Sequence, residues 1–415
     1  MSSRDERQLL GVEKWIKAGC RATLEYATGT GKSRCGILAI ERFFNKNPDK
    51  QVVIIVPTEN LKVQWIKLLA EYGLILNVEV KVINSAVMKR FTADLLIIDE
   101  IHSVITATFF KLFEMCTPTM ILGLTATFER LDGKHILLDK LCPICDTITV
   151  KEATEAGWLS PYKEYKVMID VDLTEYNIVN QQFMEHFSFF NYDFDLAMKC
   201  VTNNSVRMQY AMYIQPDPKF RKQIIEETAA HAFAWNRALK ARKDFVKNHP
   251  KKLEIAELIL EHRKNCKAIT FNSTIAQCEK FKIGSIVHSG NTKKKNRLTM
   301  EEFNEVKTGV IHSSKSLTEG IDIKGLNLAI ILHNTSSPRE RIQKIGRVIR
   351  KEEGKQAEVF SLVLKATMED NWFKKSSIGL SHIELNENEL ITILTGQQLA
   401  KCEIVQEKQP FLFTF

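Results

Sequence analysis

No apolar run in this chain approaches the ~20 residues that a bilayer span requires, and the opening Met1-Ser2-Ser3-Arg4-Asp5-Glu6-Arg7 has no signal-peptide core. No membrane partner is expected. The expected compartment is the cytoplasm, in association with the nucleoid, or the host cytoplasm if the chain is viral, to which its economy of parts points. Cysteine is sparse in pattern as well: nine are scattered along the chain, and only Cys142-Pro143-Ile144-Cys145 has ligand-like spacing. A zinc site takes four ligands, and no second Cys or His pair lies nearby to complete one. The cysteines therefore read as small buried apolar residues in a reducing compartment. Short-period repeats, low-complexity segments and a nuclease-like constellation are also missing.

What the chain has is length and basic charge. At 415 residues it exceeds a single core and suits two lobes. Lysine and arginine number 58 against 50 acids, a net +8 that favours a polyanionic partner. Two clusters concentrate that charge: Arg237, Lys240, Arg242, Lys243, Lys247, Lys251 and Lys252, then Lys293, Lys294, Lys295 and Arg297. Each is either a phosphate track or a solvated face.

Three short segments carry the chemistry. Ala27-Thr28-Gly29-Thr30-Gly31-Lys32-Ser33 lies between an apolar stretch and a helical pattern, so it reads as strand, glycine turn, helix. In that geometry backbone N–H groups cradle phosphate, Lys32 reaches the β and γ groups, and Ser33 ligates Mg²⁺. The strict pattern wants glycine where this chain has Tyr26. The near-continuous apolar run Ala93 to Ile98 reads as a parallel strand buried on both faces, and it ends in Asp99-Glu100. Asp99 is placed to hold Mg²⁺ and Glu100 to polarise the attacking water. Third, Gln343, Gly346, Arg347 and Arg350 have helical spacing, with both arginines on one face.

With these segments in order, the chain resembles the superfamily 2 helicases of the DExH type over about residues 4–355. The string Leu122 to Thr127, continuing to Arg130 and Asp132-Gly133, looks most like the XPB-like, RecG-like and phage fork-remodelling branch. That resemblance implies an α/β fold of two tandem RecA-like parallel-sheet lobes, with ATP and Mg²⁺ bound between them. It implies that Gln8 reads adenine, that Thr28 to Ser33 with Gly320 and Asp322 bind the nucleotide, and that Arg347 and Arg350 reach the γ-phosphate from the second lobe. His102, Thr125, Thr127 and Gln343 would couple hydrolysis to lobe movement. Pro57, Thr58, Gln64, Asn272, Ser273 and Thr318 would contact nucleic acid.

The implied activity is that of an ATP-dependent DNA helicase or translocase acting on forked or branched DNA. The alternatives are an RNA helicase, a duplex translocase, or an ATP-gated clamp that does not unwind. The expected partner is single-stranded or branched DNA, with RNA as the alternative, and the expected state is a monomer. Expected boundaries are residues 1–165 for the first lobe, 166–252 for a mainly helical insertion, 253–365 for the second lobe and 366–415 for a C-terminal extension. The insertion's aromatics, Phe183 to Phe194, read as its core rather than as base-stacking platforms.

Overall fold

Runs of β-branched residues dictate two sheets in the computed structural model, which describes residues 3–106, 108, 110–127, 135–314, 323–399 and 403–407. The first sheet comprises β1 (Arg21–Tyr26), β2 (Val52–Val56), β3 (Val78–Val82), β4 (Leu95–Asp99), β5 (Met120–Thr125) and β6 (Ile144–Ile148). Their spatial order is β3-β2-β4-β5-β1-β6, and every pairing is parallel. The second sheet comprises β7 (Tyr162–Ile169), β8 (Lys267–Asn272), β9 (Ser285–His288), β10 (Gly309–Ser314), β11 (Leu328–Ile331), β12 (Ala357–Leu364), β13 (Ser381–Leu385) and β14 (Ile404–Gln406). Its order is β14-β13-β7-β12-β11-β8-β10-β9, parallel except for the β13/β14 pair.

The uninterrupted apolar strands serve two cores at once. Along β2, Val52, Ile54 and Val56 enter one core while Val53 and Ile55 enter the opposite one, and β4 divides Leu95 and Ile97 from Leu96 and Ile98 in the same way. That alternation is the period of two expected of a strand covered on both faces. One core runs on from the first sheet through Leu159 to Ile345, Ile349, Ile269 and Phe271 of the second half, so the lobes share apolar contact beside the cleft.

Strand pairing redraws the expected boundaries. β7 pairs along its whole length with β12 and also with β13, so the second sheet already includes residue 162, where the sequence reading kept the first lobe to 165. β13 and β14 likewise extend that sheet into the segment read as an extension. Between β7 and β8, both strands of the second sheet, the helices Thr174–Ser188, Phe194–Thr202, Asn204–Ile214 and Arg221–Asn248 form the insertion. Phe183, Phe190 and Trp235 are buried in its core, while Tyr192 and Phe194 remain exposed.

Lys252 departs from its basic cluster. It is fully buried, with Nζ 2.6 Å from the Glu369 carboxylate and 2.9 Å from the Leu332 carbonyl oxygen. Glu369→Ala leaves that ammonium buried and uncompensated, and the expected loss is about 3–5 kcal/mol of unfolding free energy, read from chemical denaturation. Among the described residues no helix is long and apolar enough to cross a membrane.

Candidate active site

Parallel register brings three strand ends to one level. Asp99 of β4 pairs with Leu124 of β5, and Thr125 of β5 pairs with Glu25 of β1, so the loops after all three strands leave the same edge of the sheet. Ligand crevices of open α/β sheets lie at that edge.

The loop after β1 turns on Gly29 (φ 89°) and Gly31 (φ 94°), both in the left-handed region that favours glycine. Space demands it at Gly31 as well, because a Cβ there would lie 2.2 Å from Gln8 Nε2. The helix Lys32–Phe44 then begins with no side-chain cap and no acidic residue in its first turn, leaving its positive end to an anion. Thr30 is buried and its hydroxyl donates to the Ala27 carbonyl at 2.7 Å, fixing the turn. Lys32 Nζ donates to the Tyr26 carbonyl at 3.0 Å.

Tyr26 explains its own departure from the strict glycine pattern. Its ring is fully buried, and its hydroxyl donates to Asp146 of β6 at 2.5 Å. Arg7 and Lys14 also pair with Asp146; burial opposes ionisation of this carboxyl, but the three donors hold it below the ordinary carboxylate range. Room for the phenol comes from Gly11, where a Cβ would sit 1.9 Å from the Tyr26 hydroxyl oxygen.

Gln8 is 3 % exposed; its Nε2 donates to the Thr30 carbonyl while the buried Oε1 has no hydrogen-bond partner among the described residues. Such an orphaned acceptor suits an exocyclic amine like that of adenine. Asp99 is buried, accepting from Trp65 Nε1 at 2.9 Å and from the Glu100 N–H at 3.1 Å. Burial pushes its pKa up, against the Trp65 N–H and the charge of Lys32. Glu100 stands at φ 52°, ψ 52°, a strained conformation for a non-glycine residue that costs about 1–3 kcal/mol and is found where a site requires it. His102 Nδ1 lies 3.4 Å from Glu100 Oε2 and 2.9 Å from Thr125 Oγ1, and that hydroxyl donates to the Thr127 carbonyl at 2.8 Å. Acid, histidine and two threonines thus form one chain.

The second lobe closes the site. Its helix Pro338–Val348 carries Gln343 and Arg347, and a Cβ at Gly346 would lie 2.6 Å from Thr28 Cβ. A cavity of about 400 Å³ is lined by Arg4, Thr28, Gly29, Gly31, Lys32, Ser33, Leu61, Gln64, Asp99 and Glu100 from the first lobe, and by Gln343, Arg347, Arg350 and Lys351 from the second. Gly346→Val drives a side chain into Thr28 at the lobe contact. Valine is no worse than glycine inside a helix, so the stability loss is expected to be limited to the overpacking at this contact, about 1–3 kcal/mol, whereas misplacing the facing groups by ~1 Å lowers turnover by ~10²-fold; calorimetry and steady-state kinetics read the two effects separately.

Several expected residues lie elsewhere than read. Arg350 is not on the helical face of Arg347: the helix ends at Val348, and Arg350 forms a β-bridge with Leu159. It still lines the cavity, and burial lowers its pKa. Gln64, expected at nucleic acid, lines this cavity. Thr58 uses its hydroxyl to cap the helix Glu59–Glu71, and Pro57 precedes it at the end of β2. Asn272 and Ser273 are buried; Asn272 donates to Thr270 and the Ser313 carbonyl, and Ser273 bonds Gln277 and Asn248, so neither side chain is offered to a strand at the surface. Thr318, Gly320 and Asp322 fall outside the described residues, as do Arg130, Asp132 and Gly133.

The roles of two contributors are not evident from the sequence. Arg4 donates to the carbonyls of Thr30 (3.1 Å) and Gly29 (2.8 Å), locking the phosphate loop, and burial lowers its pKa. Its signal was a position one helical turn before Gln8. Trp65 holds Asp99 and packs on Gly36, where a Cβ would meet the indole at 2.6 Å.

Comparison with known proteins agrees with both lobes. Residues 5–87 and 80–130 match the family described as type III restriction enzyme, res subunit, and residues 251–352 match the helicase conserved C-terminal domain. The chain is similar to the DNA 3'-5' translocase XPB2 of Sulfurisphaera tokodaii, 24% identical over 384 residues that cover 87% of this chain and 81% of that protein. It is also similar to the DEAD-box ATP-dependent RNA helicase 51 of Arabidopsis thaliana, 23% identical over 137 residues that cover 33% of this chain and 24% of that protein.

Proposed function

Because the chain belongs to the superfamily 2 helicases, on its XPB-like side, and is therefore a nucleic-acid-dependent ATPase, we propose that it is an ATP-driven DNA translocase that unwinds or remodels forked or branched DNA. The observation that carries this reading is the single cavity lined by Lys32, Asp99 and Glu100 from one lobe and by Arg347 and Arg350 from the other. A site divided between two bodies changes shape when its contents change, which is what a motor requires.

Each residue then has a role. The first-turn amides and Lys32 bind the β and γ phosphates, and the orphaned Gln8 carbonyl oxygen accepts from the adenine amine. Ser33 and Asp99 would hold Mg²⁺, a hard cation suited to one hydroxyl and one carboxylate with phosphate and water completing its shell; when bound it supplies charge neutralisation at the phosphate oxygens. Glu100 takes the proton of the water that attacks the γ-phosphorus. Arg347 and Arg350 stabilise charge on the transferring group, and the chain through His102, Thr125 and Thr127 couples the change to lobe movement. The exposed Lys293, Lys294 and Lys295, at the positive end of the helix Lys293–Glu305, supply part of a phosphate track. Similarity to a 3'-5' translocase supports that polarity.

ATPase stimulation by single-stranded DNA, duplex, fork, four-way junction and RNA, paired with strand displacement, tests the reading. Forks or junctions are expected to stimulate most, with displacement requiring ATP. Hydrolysis without displacement or movement on any of them identifies a clamp and overturns the motor; stimulation by RNA alone overturns the choice of DNA.

A further inference from the structure

The segment that crosses between the lobes is bound on both sides of the cleft. Ser160 is 2 % exposed; its N–H donates to the Ile349 carbonyl at 2.8 Å, its hydroxyl donates to the Arg350 carbonyl at 2.9 Å, and the same oxygen accepts from the Glu352 N–H at 3.2 Å. Leu159, the residue before it, forms the β-bridge with Arg350 and reaches the phosphate loop, where its Cδ2 stands 3.0 Å from the position of a Cβ on Gly29. Arg350 Cγ lies 3.7 Å from that same point. Pro161 then fixes the backbone angle, and its carbonyl accepts from the Ala357 N–H at the start of β12.

Arg350 needs this support because it lies two residues past the end of its helix, beyond the ladder that fixes Arg347. We propose that Leu159-Ser160 is a clasp: Ser160 is a positioning residue for Arg350, and Leu159 makes that position depend on the conformation of the phosphate loop. Movement of Gly29 displaces Leu159, the bridge transmits the displacement to Arg350, and the Ser160 hydroxyl keeps the arginine backbone in step. The crossing is thus a coupling element rather than a tether. The inference rests on the cleft reading given above.

The experiment compares ATP hydrolysis by the full chain, with saturating DNA, in Ser160→Ala, Ser160→Thr, Arg350→Ala and the double variant Ser160→Ala/Arg350→Ala. Loss of the hydroxyl is expected to lower kcat by roughly tenfold while KM for ATP changes by less than about twofold, since the contact acts on the arginine and not on ground-state binding. Ser160→Thr, which keeps a hydroxyl, restores kcat. In the Arg350→Ala background the serine substitution changes kcat by less than about twofold, because its effect passes through a guanidinium already removed. Wild-type kcat in Ser160→Ala, failure of threonine to restore it, or an equal loss in both backgrounds overturns the clasp. Failure of the cleft reading has a different signature: Arg350→Ala would then hydrolyse ATP at the wild-type rate.

Discussion

Lys32→Ala is expected to lower nucleic-acid-stimulated ATP hydrolysis by ~10³-fold or more and to leave the fold in place. Among the described residues Lys32 makes one hydrogen bond, to the Tyr26 carbonyl, and it lines the cavity, so its truncation costs the fold no more than about 0.5–1.5 kcal/mol. The loop it leaves behind keeps its shape. Gly29 and Gly31 still supply the left-handed turn, Thr30 still bonds Ala27, and Arg4 and Gln8 still hold the Gly29 and Thr30 carbonyls. What disappears is the ammonium that the proposed mechanism assigns to the β and γ phosphates. Thermal denaturation and phosphate release measure the two sides of this expectation, and Glu100→Gln is a matched control: it keeps the shape of the side chain and removes the base. Substantial turnover in both variants would place the chemistry elsewhere.

Arg347→Ala is expected to be nearly as damaging to kcat, ~10³-fold, while nucleotide still binds. Arg347 is 6 % exposed on a helix whose neighbour Gly346 touches Thr28, so its guanidinium is delivered to the cavity by direct contact between the lobes. Its charge matters when charge accumulates on the transferring group, which is why binding survives. Lysine is not expected to substitute, since a flexible point charge cannot reproduce the planar fork. Fluorescent-nucleotide binding alongside steady-state kinetics separates the two quantities. Equal losses in affinity and kcat/KM with kcat unchanged would make Arg347 a binding residue instead.

The parts of this site legible in the sequence were those that local pattern determines. The apolar runs of β2 and β4 were readable because a strand buried on both faces has nowhere to put a polar residue, and the carboxyl end of such a strand fixes Asp99 and Glu100 in space. The phosphate loop was readable despite Tyr26 because the two glycines that set its backbone are both present. Less legible was whatever depends on distant partners. Arg350 falls three residues after Arg347 whether the chain continues as a helix or leaves it, and only the bridge to Leu159 decides. β7 looks the same in either lobe; its sheet is chosen by pairing with β12, far along the chain. Lys252 sits in a basic cluster by composition, yet Glu369 draws it into the core. The Asn272 amide nitrogen and the Ser273 hydroxyl likewise turn to Thr270, Gln277 and Asn248, through contacts that no spacing rule reveals.

The two lobes sharing one triphosphate is the claim on which the rest depends, and a crystal structure of the chain with a non-hydrolysable ATP analogue, Mg²⁺ and forked DNA tests it most directly. The expected result has Lys32 and Arg347 within hydrogen-bond distance of the same γ-phosphate, with Asp99 beside the metal. A nucleotide held by the first lobe alone, with both arginines turned away from its γ-phosphate while DNA is bound, would contradict it.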